Sequence, residues 1–544
     1  MTESWQKYPL LRILIPFILG MVVADGTMDY LSGNILILFV VLCLCAVVLY
    51  MQNVRKGRDR FYTAFGLSAM AFFFLLGTIL FGMRYEDVRG GYGQCGDAVA
   101  LKGCVMGSPV KKARTWAVEL ATQGGRVLLY VDGDSADMEQ VDIGDSMVVT
   151  GVRLSATCSL DLEADDSVFH AYRSYLFYSG IGATGYVRRN CWTLHPSDGF
   201  SVRKAIAGLR SGMAEAYREH GMWGDEGALV EALTTGDKTV LPKSLKEDYS
   251  RSGVSHVLAL SGFHLAVIYA MLNMLLLGRL VTYRWRWLKS LAIVMCLWLF
   301  TLLAGAPPSL VRAAVMCSLM SLSVCLGRDN LSVNSLALAA AVMLVYNPLT
   351  LMDVGFQLSF VSVLGICVVA VPMCRKVEER AMSSVVLERE NMSKLFLFRL
   401  FNYFVGVVVV SVVCTLFTAP LVAYHFHAVP LLSVVTNLLI SCLAVVLLYA
   451  ASLWWLFFWW EWVRDMLGVV LDWVAGGMNR VAGWIASVEW GVMECRPSAL
   501  EMWIWYCLIG CGVAFAYHRR AWHLKCFLLA VIALCASWLC RNLL

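Results

Sequence analysis

The sequence predicts a polytopic α-helical membrane protein that carries one small β domain on its outer side. Three observations predict it. Hydrophobic residues fill 59% of the 544 positions and charged residues only 15%, against roughly 45–50% and 25% in soluble domains; mean hydropathy is +0.68. The apolar residues come in blocks of about 15–25, near the ~20 that a helix needs to cross ~30 Å of hydrocarbon. One long polar stretch, 84–225, interrupts them. This pattern excludes an ordinary soluble enzyme and a disordered chain. It also excludes a transmembrane barrel, whose strands alternate apolar and polar residues. The net charge of +5 says little about partners.

Three blocks, 8–24, 34–51 and 61–83, open the chain as an N-terminal transmembrane domain, 1–83. Two further spans follow the first block closely and no small-residue cleavage site ends it, so it is not a removed signal. Arg55, Lys56, Arg58 and Arg60 crowd the loop after the second block. The positive-inside rule puts that loop in the cytoplasm, and the region after Met83 outside. There, 84–200 alternates over 98–106, 115–121, 126–131 and 146–154 between Gly, Pro and Asp, which reads as a small β domain, most simply a five-stranded barrel. A helical, polar lead-in covers 201–254.

The main transmembrane core, 255–460, holds candidate spans at 255–277, 290–304, 310–326, 331–346, 355–371 and 402–424. Arg279, Arg284, Arg286 and Lys289 mark a cytoplasmic loop after the first of these. Block 431–460 is too long for one upright span and too short for two. In the last region, 461–544, residues 467–490 mix Asp472, Asn479, Arg480 and Glu489 with Trp, Val and Leu, as an amphipathic helix lying in the interface does. Spans at 501–517 and 526–540 close the chain, for about 11–13 in all. Most of the 19 cysteines lie in apolar blocks as small core residues. Cys95, Cys104, Cys158 and Cys191 fall in the outer region, where pairing is open to them in three connectivities.

The most unusual stretch is 233–265, LTTGDKTVLPKSLKEDYSRSGVSHVLALSGFHL. His256, Ser261 and His264 sit at or inside an apolar block, where ionisable groups usually face a cavity or pathway. The alternative is a pair of structural histidines in an interhelical hydrogen-bond network. Residues 236–238 and 252–264 resemble the ComEC family of bacterial DNA-internalisation proteins, whose pattern is close to GD+ and then SG-x-x-H-x-x-A-x-SG-x-H. The resemblance continues through Gly305–Ala313 (G-x-x-P-S-x-x-R-A, with Arg312) and through Asn347 to Phe360 (DP…D-x-GFQLSF, with Asp353 and Gln357). It ends in Pro420, His425 and Asn437. Asn347 replaces the usual Asp, and His427 stands where a small residue is common. Residues 142–151 and 169–185 resemble the family's OB-like domain.

The resemblance implies a polytopic helical membrane protein with an extracytoplasmic OB-like barrel, set in the bacterial cytoplasmic membrane. It implies that single-stranded DNA passes Asp237, His256, Ser261, His264, Arg312, Asp353, Gln357 and Asn437 during natural transformation. It also implies a separate cytoplasmic ATPase or helicase and an extracytoplasmic DNA receptor as partners. Longer family members append a metallo-β-lactamase-like domain with a His-x-His-x-Asp-His cluster. Among the nine histidines only His425-x-His427 has its opening spacing, so no metal centre of that kind is expected. No G-x-x-x-x-G-K-[ST] phosphate loop occurs; at Gly236–Asp237–Lys238–Thr239 an Asp separates Gly from Lys. No cofactor and no catalytic residue are expected.

In the outer domain Lys111, Lys112, Arg114, Trp116, Arg126 and Tyr130 are candidate DNA contacts. An acidic run at Asp161, Glu163, Asp165 and Asp166 weighs against strong phosphate binding there. Two rival functions stay open: an intramembrane enzyme using Ser261 with His256 or His264, and a transporter of another polyanion.

Overall fold

The computed structural model describes residues 8–27, 45, 60–91, 99–112, 114–133, 138, 141–157, 167–197, 202–275, 286–325, 333–385 and 392–543. The expected span at 34–51 and the basic loop after it lie almost wholly outside these residues. The chain divides into two compact units, Met1–Ser211 with Ala337–Phe356, and Gly212–Leu336 with Gln357–Leu544. It is a polytopic helical membrane protein with a small barrel domain. Six described helices are long and apolar enough to cross a bilayer: Pro9–Thr27, Gly66–Gly90, Val354–Glu379, Leu400–Phe426, Ser433–Leu456 and Ala499–His518. Five shorter apolar helices accompany them.

In the first unit, α1 (Pro9–Thr27) packs along α2 (Arg60–Gly90). The two backbones touch because glycine faces backbone on both sides. A Cβ on Gly20 would lie 1.9 Å from the Phe74 carbonyl oxygen, and one on Gly77 2.1 Å from that of Phe17. Such small-residue crossings let membrane helices gain dispersion contact where lipid offers no hydrophobic drive. The Thr78 hydroxyl donates to the Gly20 carbonyl at 3.0 Å across the seam.

The barrel follows. Its strands are β1 (Val99–Val105), the short β2 (Val110–Lys111), β3 (Trp116–Thr122), β4 (Gly125–Val131) and β5 (Ser146–Ala156). After helix α3 (Ser167–Tyr178) come β6 (Ile181–Val187) and β7 (Trp192–His195). Taken in chain order, the five barrel strands pair 1-2-3-5-4 and close back on the first through β1–β5. β4 and β6 run parallel and the other pairs antiparallel, the topology of an OB-like barrel. Val118, Leu120, Val127, Leu129, Met147 and Val149 fill the interior. Gly185 on β6 points into that filling: a Cβ there would meet Val152, Leu154 and Leu129 at 2.8–3.1 Å.

The second unit is helical. A lead-in of α4 (Val202–Glu219), α5 (Gly224–Thr235) and α6 (Lys243–Arg251) reaches the one-turn helix α7 (Ser255–Leu258) and then α8 (Gly262–Leu275). The expected span 255–277 is therefore broken at Ala259–Ser261. Next come α9 (Arg286–Leu303), α10 (Pro308–Cys325), α11 (Val333–Tyr346), a 3₁₀ turn (Pro348–Met352) and α12 (Val354–Gly365), of which the stretch Ala337–Phe356 belongs to the first unit. A π turn (Ile366–Ala370) joins α12 to α13 (Val371–Val385), and α14 (Met392–Phe426) follows.

Block 431–460 becomes a single helix, α15 (Ser433–Leu456), whose 24 residues span about 36 Å. The surplus length is taken up by the turn at Leu431–Leu432, which follows the strand β8 (Ala428–Pro430), and by the turn after Leu456. α16 (Glu461–Ala486) is amphipathic. It buries Leu471, Val474, Ala475 and Met478 and exposes Trp462, Met466, Val469 and Trp473. β9 (Val492–Glu494) pairs with β8, and α17 (Ala499–His518) and α18 (Ala521–Leu543) end the unit. The sequence Ser498-x-x-Glu501 opens α17 with a capping box.

Candidate functional site

Within the second unit the helices line a cavity of about 1400 Å³, larger than the ~300–1,000 Å³ of ordinary small-molecule pockets. Its wall is built from the broken segment around α7 and α8, from α10, from α12 to its π turn, from α14, and from β8 and α15. His256, Ser261, Arg312 and Asn437, four of the sequence candidates, line it. His256 lies against the Asn437 side chain. Among the described residues the lining holds no Asp, Glu or Lys, so the Arg312 guanidinium is its single fixed charge.

Backbone geometry explains why the chain turns where it does. Gly236 ends α5 in the left-handed region at φ 81°, and a Cβ on it would stand 2.7 Å from the Ala304 carbonyl oxygen and 2.9 Å from Leu260. Gly253, also at φ 81°, fits against Pro430 and Ser433 with no room for a Cβ. Only glycine takes both demands at once. Ser309 at the start of α10 donates its hydroxyl to the Leu260 carbonyl at 2.7 Å, tying α10 to the break before α8.

His264 is fully buried and does not line the cavity. Ser261 precedes the first residue of α8 and His264 is its third. The Ser261 backbone N–H donates to His264 Nδ1 at 3.2 Å, and the Ser261 hydroxyl lies 3.1 Å from the same nitrogen. This is one half of a capping box, the third-residue side chain accepting from the N-cap backbone N–H, with histidine in the place of Glu or Gln. Because Nδ1 accepts a backbone N–H, the neutral ring carries its proton on Nε2, a buried atom with no partner in the protein.

The remaining candidates have local duties. Asp237 accepts from the Thr239 N–H at 2.8 Å and from its hydroxyl at 2.6 Å, closing a turn. Asp353 caps α12, accepting from Gly355 and Phe356 N–H at 3.2 and 3.0 Å. Gln357 is half-buried in α12 and outside the lining. On the barrel, the Lys111 ammonium sits 5.6 Å from the Trp116 ring centroid. Lys112 and Arg114 are exposed. Arg126 is held by Glu119 at 3.2 Å and by the Ser179 carbonyl at 2.9 Å, and Tyr130 meets the Tyr172 hydroxyl at 2.9 Å. Cys104 and Cys191 carry free thiols; Cys95 and Cys158 lie outside the described residues.

Sequence reasoning missed the hydroxyls that complete the wall. Ser411, Thr415 and Thr418 recur at i, i+4 and i+7 on α14, one helix face. That spacing was a readable sign. Ser433 was not singled out either; its buried hydroxyl has no partner in the protein, and neither does Asn437 Oδ1. Buried polar atoms are ordinarily bonded, so these two mark where water or a ligand completes the wall.

The model of the competence protein family matches residues 233–520, the stretch that builds this cavity. The chain belongs to the competence protein family. ComE operon protein 3 of Bacillus subtilis (strain 168) is 26% identical over 291 residues, covering 52% of this chain and 33% of that protein. The chain thus spans about a third of that relative's length. No solved structure matches it. The motifs by which the sequence resembles the family fall on the glycine turns at Gly236 and Gly253, the Ser261–His264 cap of α8, Arg312 and the Asp353 cap.

Proposed function

We propose that this chain carries DNA, as a single strand, across the bacterial cytoplasmic membrane during natural transformation, and that the cavity is its route. The observation that carries the reading is the lining: one buried arginine, a set of hydroxyl and amide groups, and no acid among the described residues. A phosphodiester entering low-dielectric surroundings must exchange water for a positive charge and for donors. Arg312 supplies the charge, and Ser433, Ser261 and Asn437 supply groups that bond a passing phosphate or its remaining water. The size favours a strand of a few nucleotides over a duplex, whose two strands bring one phosphate per ~1.7 Å of axis.

In this reading the barrel stands outside the membrane, where Lys111, Lys112, Arg114 and Trp116 offer a weak basic and aromatic approach. A separate cytoplasmic ATPase or helicase supplies the drive, and an outer receptor delivers the DNA.

An intramembrane enzyme is favoured by the Ser261–His264 contact alone. That contact is accounted for by helix capping, and no carboxylate lines the cavity to orient a base.

The test is Arg312→Ala in the host, scored for internalised labelled DNA and for protein in the membrane. Losing the charged partner of a buried ion costs about 2–5 kcal/mol, so uptake per molecule is expected to fall about 30-fold or more while surface DNA binding persists. Uptake that falls only in proportion to protein level would make Arg312 a packing residue and remove the cavity from the route.

A further inference from the structure

We propose that the barrel is seated on the membrane through a tyrosine face, Tyr172 and Tyr175 of α3 with Tyr130 and Tyr186 of the adjoining strands, that lies in the lipid headgroup layer. The inference rests on α1 and α2 being membrane helices and is independent of what the protein transports.

Depth comes first. The Tyr178 hydroxyl donates to Asp25 at 2.9 Å, and Asp25 lies two residues, about 3 Å, before the end of α1 at Thr27. Phe177 packs edge-on against Tyr85 of α2, with ring centroids 4.8 Å apart. Tyr85 lies five residues, about 7.5 Å, before that helix ends at Gly90. The C-terminal turn of α3 is therefore docked within the last turns of two spanning helices, which is the level of the bilayer interface.

The exposed chemistry suits that level. α3 buries Leu176 and Phe177 and exposes Tyr172 and Tyr175, three residues apart on one face, at 40% and 59%. Tyr130 and Tyr186 are direct neighbours across the parallel β4–β6 pair, and the Tyr130 and Tyr172 hydroxyls meet at 2.9 Å, so strand and helix share one surface. Tyr186 is 53% exposed and pairs with Arg153, itself exposed, on β5. A tyrosine ring partitions into the acyl boundary while its hydroxyl stays among headgroups, and Arg153 offers a partner for lipid phosphate. A stacking platform for bases is the competing occupant of such a face. It is disfavoured because Tyr172 and Tyr175 stack on each other, at 6.5 Å and 25°.

The experiment uses the full chain in bilayer discs of phosphatidylethanolamine and phosphatidylglycerol. The variants Tyr172→benzoylphenylalanine, Tyr175→benzoylphenylalanine and Tyr186→benzoylphenylalanine are irradiated with and without an oligodeoxythymidine. Lys102→benzoylphenylalanine serves as control; Lys102 is exposed on β1, across the closed barrel from the β4–β6 seam. All four positions are exposed, so the probe does not test folding. Phospholipid adducts at 172 and 175, read by mass spectrometry, are expected to exceed the control by about tenfold and to be unchanged by the oligonucleotide. Lipid adducts no more frequent than at 102, or oligonucleotide adducts in their place, would overturn the assignment.

Discussion

Arg126 on the barrel and Arg312 in the helical unit are both arginines that a sequence reader assigns to phosphate, and the fold treats them differently. Arg126 lies on an outer strand face. Its guanidinium bonds Glu119 and the Ser179 carbonyl, and Gly180 leaves it the space: a Cβ there would stand 2.5 Å from Nη2. Its donors are committed to tying β4 to the turn before β6. Arg312 is buried in the wall of a cavity with no acid in its lining among the described residues. The contrast extends to the regions around them. The barrel interior is apolar and packed, whereas the cavity leaves Ser433 Oγ and Asn437 Oδ1 buried without partners. Buried polar atoms left without partners in a cavity wall indicate where water or a ligand binds.

The largest effect that sharpens this contrast is expected from making Arg312→Ala and Arg126→Ala side by side. Uptake per molecule should fall about 30-fold or more for the first, by the buried-charge argument. For the second it should stay within about fivefold, since an exposed pair is worth ~1 kcal/mol or less. Equal losses would place both arginines on the DNA path and dissolve the comparison. Next in size is Leu129→Ala in the barrel core, which should destabilise by about 2–5 kcal/mol, read as faster proteolysis of the barrel in the intact protein. A cleavage rate unchanged from the parent would mean the barrel interior is less tightly packed than Leu129 and Gly185 imply.

How much of this was legible beforehand follows from what each side chain does. β4 alternates buried and half-buried residues and could be read directly. β6 could not, because Ala183 and Gly185 occupy inward positions, where a Cβ on Gly185 would meet Val152, Leu154 and Leu129, and Gly182 falls at a register shift, so no hydrophobic period exists to find. His256 and Arg312 were legible as polar residues inside apolar blocks. Asp237 and Asp353 were equally visible, yet their carboxylates serve turns and caps, and sequence alone does not separate a capping acid from one facing a pathway. Ser433 was invisible, since one hydroxyl in an apolar run has weight only once the facing helices are known.

His264 tests the same distinction on a smaller scale. If its role is to accept the Ser261 N–H at the start of α8, His264→Gln should keep most of it, because Gln serves at the third position, while His264→Ala should lose about 0.5–2 kcal/mol. Thermal unfolding in detergent and DNA uptake should then rank wild type, Gln and Ala in that order. Loss of uptake in both variants at full stability would instead assign the imidazole to proton or phosphate chemistry.

Glu231 in α5 gives a pH-dependent case. It is buried; desolvation raises its pKa above the ordinary carboxylate value, and Arg218, at 3.2 Å, pulls it partly back. The folded state therefore holds this proton more tightly than the unfolded state. Stability from this group is full below the unfolded pKa near 4.5 and is lost as pH rises through the folded value. Glu231→Gln should flatten the melting curve's dependence on pH in that window. A variant whose melting temperature still falls with rising pH by the parent's amount would assign the dependence to another group.

The smallest effect concerns the ion pair that opened the contrast. Arg126 and Glu119 side chains are 37% and 32% exposed, so solvent and salt screen the pair, and a double-mutant cycle of Arg126→Gln and Glu119→Gln should give a coupling of about 0.2–1 kcal/mol that shrinks in high salt. The single Arg126→Gln change should cost more than Glu119→Gln, because it also removes the bond to the Ser179 carbonyl. Equal single costs would mean that this second bond contributes nothing and that Arg126 is held by charge alone. A coupling that is large and indifferent to salt would show that the barrel surface shields its charges as the cavity wall does, and the division between the two regions would then be one of degree.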